Sequence, residues 1–357
     1  MQCLFALVFI VLLLQSSFSE GFECKSGAGN SIRVDKSGSR DFSSVQKAID
    51  SVPPNNDRWR HIHISPGIYR EKVTIPIDKP CIFLEGSRAS LTIIEWNEHN
   101  ETSNSATFSS FPDNIVAGGI SFKNFYDIPP VVVDGNNPVA PALAARIYGD
   151  KSAFYNCAFY GLQDTLWDVE GRHYFYRCYI EGAIDFIFGS GQSIYEVRFM
   201  HRLYGRFWSS FVDCFVVLQG CVVNLTLGEY ATEYPNGYIT AQGRNSSEDP
   251  SGFVFKYCNF VGSGKTYLGR AYGPYSRVII YKSALSDMIV PAGWDAWDYV
   301  HHEENLMYVE HGCSGAGAGT SGRVPWMTQL SAAQLNQFVS LSYIDKDRWI
   351  EKLPIKP

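Results

Sequence analysis

Two neighbouring stretches of the chain align without a gap at an offset of 21 residues, Ala153–Asp164 lying over Tyr174–Asp185. Phe154, Tyr155, Cys157, Gly161 and Asp164 meet Phe175, Tyr176, Cys178, Gly182 and Asp185. Five identities in twelve positions make chance a poor explanation. Gly119–Phe125, Gly252–Phe260 and Val278–Ser283 are related pieces, each a short β-branched or aromatic run with turn residues nearby, which reads as a strand. A period near 21 built from short strands, without helical patterns between them, predicts an all-β chain wound as a right-handed parallel β-helix. Coils stacked about 4.8 Å apart turn equivalent positions into ladders, Phe on Phe and Cys157 near Cys178.

The flanks fit a solenoid with short capping helices. Phe42, Val45, Ala48, Ile49 and Val52 fall at helical spacing behind Asp41, an N-cap candidate, and are expected to cover the open N-terminal end. Ser331–Leu341 is a second amphipathic candidate near the other end. No linker marks a second folded domain, although 357 residues would accommodate two.

Composition narrows the function classes. Hydrophobic residues make up 45% and charged ones 18%, so a core is affordable and global disorder is excluded. A net charge of −6 without a basic stripe argues against nucleic acid, and means that a polyanion would be held by local contacts. The 21 Tyr, 23 Phe and 8 Trp suit sugar rings and β cores equally. Leu4–Leu14 is an apolar run of 11 residues, too short for a membrane span of about 20. With Ser17 and Ser19 behind it, the run reads as a signal peptide over residues 1–19, leaving 20–357 as one secreted domain. The sequons at Asn100, Asn224 and Asn245 agree with that route. Of nine cysteines, Cys3 leaves with the signal; the long spacings of the other eight suggest neither a zinc site nor a dense disulfide framework.

The same offset relates Asp164 to Asp185. One coil apart, the two carboxylates sit side by side and cannot both ionise easily, so one tends to keep its proton. Such a pair supplies a nucleophile or base beside an acid, as ester or glycoside cleavage requires. A structural Asp ladder satisfied by backbone N–H groups is the competing explanation.

The surrounding words decide between them. Gln163-Asp164-Thr165-Leu166, Asp185-Phe186-Ile187-Phe188-Gly189 and Leu268-Gly269-Arg270-Ala271-Tyr272 closely resemble the three signature segments of pectin methylesterases. Gly67-Ile68-Tyr69-Arg70-Glu71 and Tyr238–Arg244 resemble two further segments of that family, in the same order, from about Val34 to the C-terminus. The inhibitor-like pro-region that many plant members carry does not precede them. The resemblance implies that Asp185 attacks the C6 carbonyl of a methyl galacturonate and that Asp164 serves as acid, then base. It further implies that Arg270 keeps Asp185 ionised, that Gln163 donates to the oxyanion, and that Thr102 and Tyr272 contact the sugar. The implied partner is pectin (methylated homogalacturonan) in the cell wall, with a proteinaceous pectinesterase inhibitor as a second; a monomer is expected, and no metal or organic cofactor is required.

Three departures stand out. The family usually reads Gln-Ala-Val-Ala-Leu one coil before the first aspartate, where this chain has Pro141-Ala142-Leu143-Ala144-Ala145, so Pro141 replaces a second oxyanion donor. The milder change is Ala271-Tyr272 in place of Pro-Trp. The larger departure is Val197–Gln219. Removing these 23 residues joins Glu196 to Gly220-Cys221 and restores the repeat. Val codons begin GT and one Gln codon is CAG, so we read the segment as a retained in-frame intron. Without it seven mature cysteines remain, and Cys178–Cys221, on adjacent coils, is the favoured bridge against a ladder of buried free thiols.

Other motifs carry less. Gly262-Ser263-Gly264-Lys265-Thr266 echoes a phosphate loop, but Asn259 replaces its first Gly and a turn is expected. His61 and His63 alternate on a strand and His301-His302 adjoin, without metal-ligand spacing; no Gly-x-Ser-x-Gly elbow supports a serine esterase. The rival functions are a polygalacturonate-cleaving glycosidase on the same fold and a non-catalytic, pectin-binding wall protein.

Overall fold

Short strands need partners on both edges, and this chain finds them by winding. The structure, a computed structural model, describes residues 23–25, 31–99, 101–126, 139–196, 220–227 and 235–355. Three parallel sheets of ten, eight and eight strands form the walls of a solenoid, and neighbours in a sheet are generally three strands apart in sequence. The 21-residue repeat is one coil: Phe154 pairs with Phe175, Tyr155 with Tyr176, Ala158 with Tyr179 and Leu166 with Ile187. The right-handed parallel β-helix is thus what the repeat foretold.

Ladders fill the interior. Phe154, Phe175, Tyr195 and Phe255 are fully buried and stack in succession at centroid separations of 5.1, 4.5 and 4.6 Å, each pair within 14° of parallel. Each such contact adds roughly 0.5–1.5 kcal/mol to the area term. Corners between the ten-stranded sheet and its neighbour are made by one residue with positive φ: Gly119 (64°), Asn156 (52°), Arg177 (53°), Tyr257 (55°) and Lys282 (47°). Of these only Gly119 adopts that conformation freely; at the other corners ladder bonding on both sides offsets the local strain.

Three expectations are corrected. Cys178 and Cys221 are free, as are Cys157 and Cys258, and among the described residues the disulfide joins Cys24 to Cys81. The Cys178 thiol donates to Phe154 O and the Cys221 thiol to Phe175 O, while Cys178 N donates to Cys221 Sγ at 3.3 Å, so both sulfurs are hydrogen-bonded as free thiols. Burial pushes the Cys157 thiol up to about 12 and raises Cys178 and Cys258 as well, as befits packing groups. The first helix spans Val45–Asp50 with Ser44, not Asp41, as its N-cap, because the Asp41 carboxylate accepts from Arg33 N instead. The Glu71 carboxylate accepts from Val45 N, Gln46 N and Ser44 Oγ, which gives the Gly67–Glu71 segment a structural role at the N-terminal cap. The second helix, Ala332–Val339, carries a capping box between Ser331 and Gln334 but does not close the C-terminal end. Its Leu335, with Tyr343, Ile344 and Trp349, packs along the outer face of the ten-stranded sheet against Tyr155, Tyr174 and Val254. Apolar side chains on that face need a cover, and the C-terminal segment provides it.

Gly262–Thr266 forms the expected corner between the strands Asn259–Ser263 and Thr266–Ala271. Residues 197–219 lie outside the described residues, but their flanks are informative. Two residues separate the paired strand ends Tyr176 and Tyr179, and two separate Lys256 and Asn259. On the coil between them the corresponding ends are Glu196 and Val222, and excision of 197–219 leaves Gly220 and Cys221 to fill the gap. In the full chain Gly220 N donates to Tyr257 O, whereas Arg177 N donates to the end of the adjoining strand, Glu196 O. Connecting Glu196 to Gly220 through 23 further residues carries a chain-closure cost on the order of 3 kcal/mol. A chain lacking 197–219 is therefore expected to fold, with Gly220 as the left-handed corner residue, and to melt several degrees higher. A lower melting temperature for the shortened chain overturns this.

Candidate active site

The corners that carry Asp164 and Asp185 are cut from the same pattern. Gln163 bridges Pro141 on one side and Ile184 on the other, and Asp164 N donates to Ile184 O at 3.0 Å. Both aspartates have positive φ, 60° at Asp164 and 48° at Asp185, an uncommon conformation for non-glycine residues that turns them out of the ladder into a cleft.

The cleft is open and has a volume of ≈ 900 Å³. Asp164, Asp185, Gln163 and Arg270 form its centre, Thr102 and Pro141 one side, and Tyr272 and Trp297 another, so all six expected site residues converge there. Asp185 is buried. Arg270 Nε donates to its Oδ1 at 2.8 Å and Arg270 Nη2 donates to its Oδ2, a bidentate pair. The guanidinium in turn lies 3.8 Å from the Trp297 ring centroid and 4.5 Å from that of Tyr238, whose hydroxyl donates to Asp295.

This asymmetry separates the two carboxyls. Burial, reinforced by the neighbouring Asp185, pushes Asp164 up to about 8 against the opposing pull of Arg270. Burial raises Asp185 too, but both hydrogen bonds from Arg270 pull it back. Asp164 accordingly holds a proton at neutral pH while Asp185 is the member that ionises.

A profile of the family described as Pectinesterase matches residues 31–204 and 201–347. The chain belongs to the pectinesterase family. It is 47% identical over 322 residues to probable pectinesterase 29 of Arabidopsis thaliana, covering 90% of this chain and 89% of that one. With putative pectinesterase 10 of the same plant it shares 45% over 352 residues, or 99% and 96% of the two chains. Among solved structures, a pectin methylesterase from carrot superposes with a TM-score of 0.76 at 28% identity, covering 93% of this chain and 99% of its own. Within this pectinesterase the Tyr238–Arg244 segment supports the site indirectly. Tyr238 backs Arg270, and the Arg244 guanidinium donates to the Asp249, Ser247 and Tyr275 carbonyls to fix the turn beside the cleft.

Sequence reasoning missed several cleft residues. Trp167 and Phe188 pair in register and stack at 5.2 Å on the cleft wall. They stand three residues after Asp164 and Asp185, so the offset that exposed the aspartates was also the signal for them. Trp297 gave no such signal, since it stands in a short 3-10 turn after the strand Trp294–Asp295 and takes part in no coil-to-coil ladder among the described residues.

A raised carboxyl also fixes a dependence on pH. With a folded value near 8 and an unfolded one near 3.9, proton uptake by Asp164 stabilises the fold at low pH, and that stability is lost as pH rises through about 8. Asp164→Asn should therefore raise the melting temperature clearly at pH 9 and little at pH 4. Equal shifts at both pH values would contradict the assignment.

Proposed function

We propose that this pectinesterase hydrolyses the methyl esters of polygalacturonate by an aspartyl mechanism in the cell wall. What carries the reading is the juxtaposition, at the floor of an aromatic-walled cleft, of a proton-holding Asp164 and an Asp185 clamped by Arg270. An ionised Asp185 oxygen attacks the C6 carbonyl, and the resulting oxyanion is stabilised by a donor such as the Gln163 amide. Collapse breaks the C6–OCH3 bond as Asp164 gives its proton to the leaving oxygen, so methanol departs and an acyl anhydride remains on Asp185. Asp164, now a carboxylate, takes a proton from water, which attacks the anhydride carbonyl. The free acid leaves, and Asp185 returns as a carboxylate beside Arg270. Tyr272 and Trp297 offer exposed rings for the sugar faces, and Thr102 a hydroxyl at the rim. Export through an oxidising compartment is supported by the Cys24–Cys81 disulfide, and pectin de-esterification supplies the reason for it.

The test is methanol release from methylated pectin with reducing ends counted in the same samples. Methanol without new ends is the expected result; new ends without methanol would instead make the chain a glycosidase. Asp185→Asn should lower the rate at least a thousandfold, because the amide cannot form the acyl intermediate. Pro141 occupies the cleft beside Gln163 and has no donor to offer. Pro141→Gln should therefore raise kcat by roughly ten- to a hundredfold with little change in KM. A folded Pro141→Gln protein that is no faster removes Pro141 from the account, and one in which neither form releases methanol favours the pectin-binding reading.

A further inference from the structure

Spacing along the chain gives His61 and His63 no third partner, but the fold supplies one. The strand Arg60–Ile64 places the two imidazoles on one face, two residues apart. On the next coil Glu85, in the strand Ile82–Gly86, pairs in register with His63. His61 Nε2 is 2.7 Å and His63 Nδ1 is 3.4 Å from the same carboxylate oxygen, Glu85 Oε2. The three ligand atoms all lie within 4.8 Å of one another.

We propose that His61, His63 and Glu85 form a binding site for a divalent transition-metal ion of the Zn²⁺ type, remote from the catalytic cleft. Ligands bound tetrahedrally at about 2.0–2.1 Å sit roughly 3.3 Å apart, so these atoms need only small side-chain adjustments. Two imidazoles and one carboxylate suit such an ion better than Ca²⁺ or Mg²⁺, which favour all-oxygen shells. The His61 ring is stacked on Phe83 at 4.7 Å and 10°, and the strand ladder holds both backbones, so the site is pre-oriented. The three side chains are 38–44% exposed, which leaves room for water or an anion at the remaining positions. Arg33 and Arg40 border the same depression. They oppose a bare dication and favour one whose outer position is filled by an anion such as chloride or a carboxylate.

The site lies on the ten-stranded sheet, whereas Arg270 and Trp167 belong to one of the eight-stranded sheets. A bound ion would tie two N-terminal coils together close to the Cys24–Cys81 disulfide, since Cys81 immediately precedes the Glu85 strand. Its effect is therefore on stability, through preferential binding to the folded state.

The experiment uses the chelator-treated full chain, titrated with ZnCl2 at pH 7.5 by calorimetry and followed by thermal melting. One equivalent should bind and raise Tm. His61→Ala and Glu85→Gln should each weaken binding at least tenfold, and wild-type binding should weaken at pH 5, where protons compete for the imidazoles. Methanol release by both variants should match wild type, which also shows that they are folded. Absence of heat and of any Tm change overturns the proposal and leaves Glu85 as a hydrogen-bond acceptor for two histidines. The same Tm rise in the triple variant His61→Ala, His63→Ala, Glu85→Gln overturns it equally.

Discussion

The Asp185 carboxylate is buried at the floor of the cleft, and the Arg270 guanidinium is what makes that burial tolerable. An unpaired carboxylate there would cost several kcal/mol or simply stay protonated. Arg270 is not free to wander, because it is sandwiched between the rings of Tyr238 and Trp297. Those rings are in turn held by Asp295, which accepts from the Tyr238 hydroxyl and from Trp297 N, and which pairs with Arg270 along the sheet. Charge and packing thus run through successive strands of one sheet and end on a single oxygen pair. Asp164 receives neither hydrogen bond of that guanidinium. Two identical side chains one coil apart acquire opposite protonation preferences because only one of them has a cation assigned to it.

The winding that aligns these groups also stores strain. Left-handed backbone at Asp164 and Asp185 costs of order a kcal/mol or more at each, and it persists because ladder bonds fix the chain before and after. The wall behind Trp167 shows how firmly. Asp168, its neighbour, accepts from the Tyr195 hydroxyl at 2.7 Å and faces His173 Nδ1 at 2.5 Å, while His173 Nε2 faces Gly149 O at 2.9 Å. Burial pulls the His173 imidazole down, but Asp168 and the Gly149 carbonyl outweigh it and raise it, and both ring nitrogens face oxygen acceptors. Gly191 has no room for a Cβ, which would lie 2.0 Å from Asp168 Oδ1. The turn is packed shut from behind while its other face stays open to substrate.

How much of this the sequence displayed follows from which forces are periodic. The coil repeat was legible wherever side chains stack on their own kind, from Phe154 and Phe175 to Asp164 and Asp185. Pairings made across the solenoid were not. The Cys24–Cys81 bridge joins residues 57 apart whose closeness depends on where the N-terminal segment lies, and the cysteine ladder drew attention to the wrong pair. Glu71 matched a family segment, yet its partnership with the Val45–Asp50 helix has no local signature. The same is true of Trp297, which reaches the site from a short irregular stretch after the strand Trp294–Asp295. The helix Ala332–Val339 was legible as a helix, but its docking place required knowing which outer face of the sheets was apolar.

Pro141 shows that fold and chemistry can be separated at one position. It joins the ladder only through an isolated bridge to Gln163, at the turn that precedes the strand Ala145–Ile147. Neighbouring Ala142 and Ala144 still donate to the Gln163 and Thr165 carbonyls, so the lack of an N–H at 141 costs the coil little. Pro141 also lines the cleft beside Gln163, and on the proposed mechanism a missing donor there weakens stabilisation of charge that exists only in the transition state. A ladder of this kind enforces the placement of Asp164 and Asp185 through packing, but it exerts no such constraint on Pro141. The rate of the reaction can therefore drift at this corner while the solenoid, the Arg270 clamp and the aromatic walls remain as they are.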